Sequence, residues 1–595
     1  MARAPTLSRH SPLFSTKFPF FYVSAGEKAW VDLLWLGGLA AFALVFFALR
    51  LDVGVDLSDE AYYATHIIEW MRNGFRAGKS LLLPQLSELP AYPLARLYIA
   101  LSGGLNGLVL FLRVLYVGMA LAAAAAIYLL VRRLRPRPVA ALAAALPITY
   151  IPFSLPAPSY NTIAMFALAG ALALYGGALL NVERSSRASR PTRVLPSLIG
   201  SAVLLTITAI VYPTLAIAPV LLFAVAWGSA RRREEVRLLA TFIGVCAICA
   251  AAGAGLLLAI FGFERLLAMV EFTTGLVSLV GGFTARMQAA GRVFANQPLV
   301  IAGLVWTASA LVVLFAMKLR HERVAATIAI VPGLVLVLSG GPVAYLKSHD
   351  VIILCLIIAS YVVAIEIRGS ARTIVPGLLF VSLVSGAVTG STSAGHVNNI
   401  AIGGLFAAAV GLALLTPPDF RQGRLRVTAC VLPLAFVLAA TGYSSQTWVY
   451  GEVTGGRPAI PTRVESGPFK GLVTAPEMHA YVDAVTRAFE QHTRSGETLT
   501  VFGALSGLYL LNDLVPHAPS TWPLRSYTGE RARGIWEMLL AKNPPDIIAI
   551  YDDRWIEPIG ETEKQLLLRY AEVARFSVSF RDFRLYRRLD TPLIR

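Results

Sequence analysis

The sequence predicts a polytopic α-helical membrane protein of about thirteen transmembrane helices with a C-terminal α/β domain outside the membrane. Of its 595 residues, 56% are hydrophobic and only 15% are charged. The apolar residues form runs of about 16 to 22 residues, the length that a helix needs to cross a bilayer. Because open sheets cannot cross lipid, these runs must be helices. Beyond about residue 443 the runs shorten, and charged residues and prolines become frequent.

The distribution of charge gives the chain an orientation. The net charge is +17, and its basic residues fall in short clusters between apolar runs, for example at 132–137, 231–237 and 421–426. The turns between successive clusters, such as 156–162, are nearly free of Lys and Arg. This alternation is the positive-inside signal of a membrane protein. It predicts a cytoplasmic amino terminus and an external C-terminal domain, and it argues against nucleic acid as a partner.

The first apolar run spans residues 30–49 and is expected to be a retained anchor. It is too long for the core of a signal peptide, and no small-residue cleavage site follows it. Residues 51–108 then form a long first outer loop, in which short helices are predicted at 59–73 and 93–102. The membrane part is assigned to residues 1–442.

The C-terminal domain is assigned to residues 443–595. Apolar, β-rich segments at 498–502 and 546–551 predict buried strands, and residues 577–587 predict an edge strand or hairpin. Helices are predicted at 476–492 and 531–542, and the alternation indicates a small α/β domain. Nothing in its sequence suggests a catalytic role.

Three acidic residues, Asp56, Asp59 and Glu60, follow the first predicted span directly. Carboxylates at a membrane surface are costly unless they are hydrated or functional. A carboxylate held there can accept a proton from an incoming hydroxyl group, as general-base catalysis requires. The simpler interpretation is a polar loop that ends a helix. Asp56 and Asp59 could also help to coordinate Mg²⁺ or Mn²⁺, but with one acidic cluster we predict neither a metal nor another cofactor.

The acidic motif resembles that of a known superfamily. Asp59 and Glu60 are followed by Tyr63, Met71 and Gly74. Together with an odd number of spans and an external C-terminal domain, this pattern resembles the GT-C glycosyltransferases. It is similar in particular to bacterial lipid-linked-sugar transferases of the aminoarabinose-transferase and protein-mannosyltransferase type. Residues 82–84 resemble the hydrophobic-proline element of these enzymes, and Phe111 to Arg113 resembles the region of the arginine that opens their second span.

The resemblance implies a reaction at the outer face of a bacterial inner membrane. A sugar would pass from a polyprenyl-phosphate donor to a glycan, lipid or protein acceptor, with inversion at the anomeric carbon. Asp59 would be the general base, and Glu60 or Asp56 would bind the sugar or orient Asp59. The aminoarabinose branch carries a lysine where residues 88–93 stand here, so the sugar is left open.

Further site residues follow from this reaction, and the segment 347–350 also lies where the family carries a basic residue that contacts the lipid phosphate. Cations should stabilise the leaving phosphate, and the candidates are Lys347, His349, Arg286, Arg265 and Arg292. The candidates for substrate binding are Tyr62, Tyr63, Tyr92, Tyr160, Asn161 and His396. Each set has an ordinary alternative, because arginines reach lipid headgroups and tyrosines anchor at membrane interfaces. A lone turn histidine such as His396 is often structural.

Two other functions fit parts of the same pattern. A transporter or flippase would use the acids to bind substrate or relay protons, but transporters usually place such groups near the bilayer midplane. Here the acids gather at one outer face, which favours chemistry at an interface. A polymerase that joins lipid-linked glycans would use the same face and the same lipid carrier.

Overall fold

The computed structural model describes most of the chain. The described ranges are 29–188, 194–229, 233–277, 371–392, 399–414, 424–452, 455–503, 505–512, 514–521, 530–553, 561–578 and 581–589, with single residues 288, 302, 305, 306 and 309. The helices before residue 448 are α1 Ala29–Ala48, α2 Asp59–Ala77, α3 Tyr92–Ser102, α4 Leu108–Val131, α5 Arg137–Thr149, α6 Tyr160–Ala188, α7 Leu195–Val211, α8 Ile217–Ser229, α9 Arg233–Phe261, α10 Phe263–Val277, α11 Ala371–Thr392, α12 Ile400–Leu414 and α13 Arg424–Thr447.

Five helices in the described part of the chain are long and apolar enough to cross a membrane. They are α1, α4, α6, α9 and α11, and the first of them coincides with the predicted anchor. The membrane character predicted from composition is therefore confirmed. The expected total of about thirteen spans stays a prediction, because most of residues 278–370 lie outside the described part.

Alanine is the most frequent residue in the core of the membrane part. Ala140, Ala144, Ala164 and Ala408 are fully buried where α5, α6 and α12 meet. Small side chains let helix backbones approach closely, which favours dispersion contacts and association in lipid. Helices α6 and α7 contact the segment that follows α2, and α4 contacts α2 and α3, so these helices surround the candidate site.

The C-terminal region contains the predicted sheet. Its helices are α14 Pro476–His492, α15 Glu530–Lys542 and α16 Glu561–Leu567, and its strands are β1 Thr462–Arg463, β2 Val473–Thr474, β3 Thr498–Phe502, β4 Val515–Pro516, β5 Ile547–Asp553, β6 Tyr570–Val578 and β7 Arg581–Arg588. The larger sheet has the order β4-β3-β5-β7-β6. Its strands β3, β4 and β5 are parallel, and β5, β7 and β6 pair antiparallel. The predicted strand at 498–502 is confirmed, and the predicted edge strand is a hairpin of β6 and β7.

Helix α2 connects the two parts of the molecule. On one face, Ala61, Ala64 and Ile67 are buried in a cluster that also contains Leu508 and Tyr509 of the C-terminal domain. Backbone contacts reinforce this packing. The amide of Gly507 donates to the Leu57 carbonyl over 2.7 Å, and the Thr65 hydroxyl donates to the carbonyl of Ser506 over 3.0 Å. Helix α2, which carries Asp59, is therefore packed against the C-terminal domain.

Candidate active site

Asp59 is the first residue of α2 and is half-buried. The Tyr450 hydroxyl donates a hydrogen bond to its Oδ2. Tyr62, Tyr63 and Phe272 form an apolar cluster at the same place, and the ring of Tyr450 packs against that cluster. Burial and the nearby charge of Asp56 raise the pKa of Asp59 to about 7, against the opposing effect of the Tyr450 hydrogen bond. A carboxylate with that pKa is suited to general-base catalysis near neutral pH.

Asp56 fixes the beginning of α2. Its Oδ1 accepts from the Ser58 amide at 2.9 Å and from the Ser58 hydroxyl at 2.6 Å, and its Oδ2 accepts from the Glu60 amide at 2.7 Å. These bonds satisfy N–H groups that the first helical turn otherwise leaves unpaired. Burial nevertheless raises the pKa of Asp56. Asp56 therefore positions Asp59 through the helix start and acts on its pKa through charge.

Glu60 forms a buried ion pair with Arg113. The Arg113 Nε donates to Oε1 and Nη2 donates to Oε2, each over 2.6 Å, and both side chains are at most 2% exposed. Arg113 also donates to the carbonyls of Leu51, Val53 and Gly54. The pair therefore ties α2 to the outer end of α4 and to the chain leaving α1. In this arrangement Glu60 faces Arg113.

The predicted substrate-binding tyrosines separate into two groups. Tyr62 and Tyr63 pack edge to face, with ring centroids 5.3 Å apart, and Tyr160 packs against the same cluster. Tyr92 lies instead in a second cluster, where its ring centroid is 5.9 Å from that of Trp70. The structure therefore brings Tyr62, Tyr63 and Tyr160 together with Asp59, and not Tyr92.

Asn161 directly follows Tyr160 at the start of α6 and is buried. Its Oδ1 has no hydrogen-bond partner among the described residues. Buried polar atoms are nearly always hydrogen-bonded. The unpaired oxygen of Asn161 is therefore consistent with the predicted role in substrate binding, which stays a prediction.

Of the predicted phosphate-binding cations, Arg265 of α10 lies among the described residues. Its guanidinium donates to the carbonyls of Gly78, Ser80 and Arg76, the latter two over 3.0 and 3.2 Å. Arg265 thus holds the turn that follows α2. The other candidate cations, Lys347, His349, Arg286 and Arg292, lie outside the described residues, as does His396, which was predicted to bind substrate.

Glu88 is a buried acid that the sequence did not single out as a site residue. It is 0% exposed at the end of a 3₁₀ helix, Leu83–Glu88. The Ser87 hydroxyl donates to its Oε1, whereas Oε2 has no partner among the described residues. Burial raises the pKa of Glu88 to about 8. Burial raises the pKa of Tyr62, and the charges of Glu88 and Asp59 add to that rise.

Tyr450 was also not identified as a site residue from the sequence. The tyrosine lies 391 residues after Asp59, and its only sequence signal is its place at the end of the last predicted span. The described ranges contain no group of three or more His, Cys, Asp or Glu side chains able to hold an ion, and the expectation that no metal is needed stays a prediction.

Comparison with known proteins gives structural neighbours only. The chain is similar to the archaeal oligosaccharyltransferase AglB from Archaeoglobus fulgidus, solved with an inhibitory peptide and a dolichol-phosphate. The identity is 12% and the TM-score 0.49, over 88% of this chain and 70% of that one. It is also similar to ArnT from Cupriavidus metallidurans in the apo state, with 13% identity and a TM-score of 0.39, over 93% of this chain and 98% of that one.

Both neighbours are matched at an identity below 25% and a TM-score below 0.5, so they carry no argument about the function of this chain. No family model matches the chain, and no curated protein matches it. The function is therefore argued from the residues of the site.

Proposed function

We propose that this protein is a membrane glycosyltransferase that takes a sugar from a polyprenyl-phosphate donor at the outer face of the membrane. The observation that carries the proposal is Asp59. It is a half-buried carboxylate with a raised pKa, placed among aromatic side chains where the first outer loop meets the membrane helices. The partial exposure of Asp59 and its pKa are both compatible with the role of a base.

The reaction would proceed by a single displacement with inversion. Asp59 takes the proton of the acceptor hydroxyl, and the acceptor oxygen forms its bond to the anomeric carbon. The bond between that carbon and the phosphate oxygen breaks, and its electron pair leaves with the polyprenyl phosphate. Positioning and a matched base are the contributions that this chain's residues make to the rate.

Other residues would assist at the two ends of the displacement. Tyr62, Tyr63 and Tyr160 offer faces on which a sugar ring can stack. The leaving phosphate gains charge as the bond breaks, so fixed cations should stabilise it. We assign this role to Lys347, His349, Arg286 and Arg292. Arg265 would join them only by releasing the carbonyls that it holds.

The proposal includes a topology. The chain would have about thirteen spans, a cytoplasmic amino terminus and a C-terminal domain on the periplasmic or extracellular side. The alternating charge of the links supports this orientation. The contacts between α2 and the C-terminal domain support it too, because they place that domain on the same side as Asp59.

The test is replacement of Asp59 by Asn in the cells that make the protein, followed by mass spectrometry of their glycans and prenyl lipids. Because the amide cannot accept the proton, we expect one glycan to lose a sugar and the matching lipid-linked sugar to accumulate. Glu477→Gln, an exposed acid in the first turn of α14, is the matched control. Unchanged glycans at an equal amount of membrane-inserted variant would refute the transferase. If the protein takes up a solute in response to an ion gradient, and Asp59→Asn still does so, that result would favour a transporter.

A further inference from the structure

A short segment joins helix α13 to the C-terminal domain. It follows α13, and we call residues 448–452 the junction. The Val449 amide donates to the Gly455 carbonyl over 2.9 Å, and Trp448 pairs with Gly456 in an isolated antiparallel bridge. The junction is therefore a formed turn and not an open linker.

The junction is pressed against the acidic motif. Gly451 has a φ of +84°, and a Cβ at this position would lie 2.8 Å from the Cα of Asp56. Only glycine meets both conditions, since φ in this range disfavours other residues and the space is closed. The backbone on either side of Gly451 is thus fixed against the residues that start α2.

Glu452 fixes the other end of the junction. It is 8% exposed and accepts from the Thr474 hydroxyl, from the Ala475 amide at 3.2 Å and from the Val55 amide at 3.4 Å. Thr474 ends β2 in the C-terminal domain, whereas Val55 precedes the acidic motif. One carboxylate therefore bonds to both parts of the molecule.

Directly before Gly451, the hydroxyl of Tyr450 donates to Oδ2 of Asp59. Within the described ranges, no hydrogen bond reaches Oδ1 of the same carboxylate. We propose that Tyr450 is a positioning residue for Asp59, which holds Oδ2 so that Oδ1 takes the proton of the acceptor. The inference rests on the proposed function, and it makes the C-terminal domain a part of the active site through the junction.

The pH dependence of the site separates this role from simple packing. Among the described residues, the titratable groups that act on Asp59 or on the tyrosines of its cluster include Asp56, Glu69, Glu88, His66, Tyr62, Tyr63, Tyr160 and Tyr450. Among them, Tyr450 lowers the pKa of Asp59 by hydrogen bonding, whereas burial and Asp56 raise it. A residue that only packs against the cluster would not raise the pKa of Asp59 when its hydrogen-bond donor is removed and lower that pKa when the donor is strengthened.

The experiment titrates Asp59 without any substrate. Infrared spectra of the full chain in lipid show the protonated carboxyl band of Asp59, identified by its absence in Asp59→Asn. In Tyr450→Phe the ring stays and the donor is lost, so we expect the midpoint to rise by about one pH unit, as the loss of a hydrogen bond to a charged group implies. The control is Tyr443→Phe, which removes a hydroxyl that is exposed on α13 and should leave the midpoint unchanged.

A second substitution guards against a folding defect in Tyr450→Phe. Incorporation of 3-fluorotyrosine at position 450 keeps the shape of the side chain and strengthens the donor, so the midpoint should fall. Opposite shifts in the two variants support the proposal. An unchanged midpoint in either correctly folded variant overturns it. Because this titration needs no turnover, it can fail while the glycan analysis of Asp59→Asn succeeds, and the reverse also holds.

Discussion

Replacement of Glu60 by Gln should destabilise the protein, because it leaves the Arg113 guanidinium buried without its counter-charge. The pair is bidentate, with two contacts of 2.6 Å and almost no exposure of either side chain. Removing one partner of such a pair typically costs about 3–5 kcal/mol. The carbonyls of Leu51, Val53 and Gly54 still accept from Arg113, so we expect a loss near the lower end, about 3 kcal/mol.

The assay is reversible unfolding in mixed micelles for the wild type, Glu60→Gln, Arg113→Met and the double variant. If the two side chains stabilise each other, the double variant should lose less free energy of unfolding than the sum of the single variants. Sugar transfer should decline in parallel with stability. A Glu60→Gln variant that is as stable as the wild type but has lost transfer would refute this reasoning. It would mean that Glu60 acts on the substrate, as the sequence also allowed.

Two further predictions concern the other acids. Asp56→Asn removes the charge that raises the pKa of Asp59, so the acid limb of the pH–rate profile should move to lower pH. An acid limb at the same pH as in the wild type would show that the charge of Asp56 does not affect the pKa of Asp59. Glu88 has a folded-state pKa of about 8, above its ordinary value of 4.5, so the folded state binds more protons and its stability falls as pH rises from about 4.5 to 8. Glu88→Gln should flatten the dependence of the unfolding midpoint on pH between 5 and 9. An unaltered slope in that variant would contradict the buried position of Glu88.

The features that were predictable from sequence are those with a local pattern. The anchor at residues 30–49 and strand β3 follow from apolar runs of the right length, and Asp56, Asp59 and Glu60 stand together in the chain. Hydropathy could not assign the three acids their separate roles. Glu60 is paired by an arginine 53 residues away, and Asp56 is used by the helix start that it precedes.

The contacts that complete the site were beyond local reasoning. Tyr450 contacts Asp59 across 391 residues, because the chain returns to the acidic motif only after helix α13. No spacing or periodicity encodes that meeting. Arg265 shows the opposite case. From sequence it was a candidate for binding phosphate, but in the folded chain its guanidinium donates to three backbone carbonyls.

The most direct measurement is discharge of a lipid-linked sugar by the purified protein in lipid, with wild type and Asp59→Asn compared at pH 7 to 8. The donor is the prenyl-linked sugar that accumulates in cells carrying the variant. Our account predicts that kcat falls by about 10²–10⁴-fold, the usual contribution of a general base, while the dissociation constant of the donor stays the same. Turnover by Asp59→Asn at the wild-type rate would contradict it.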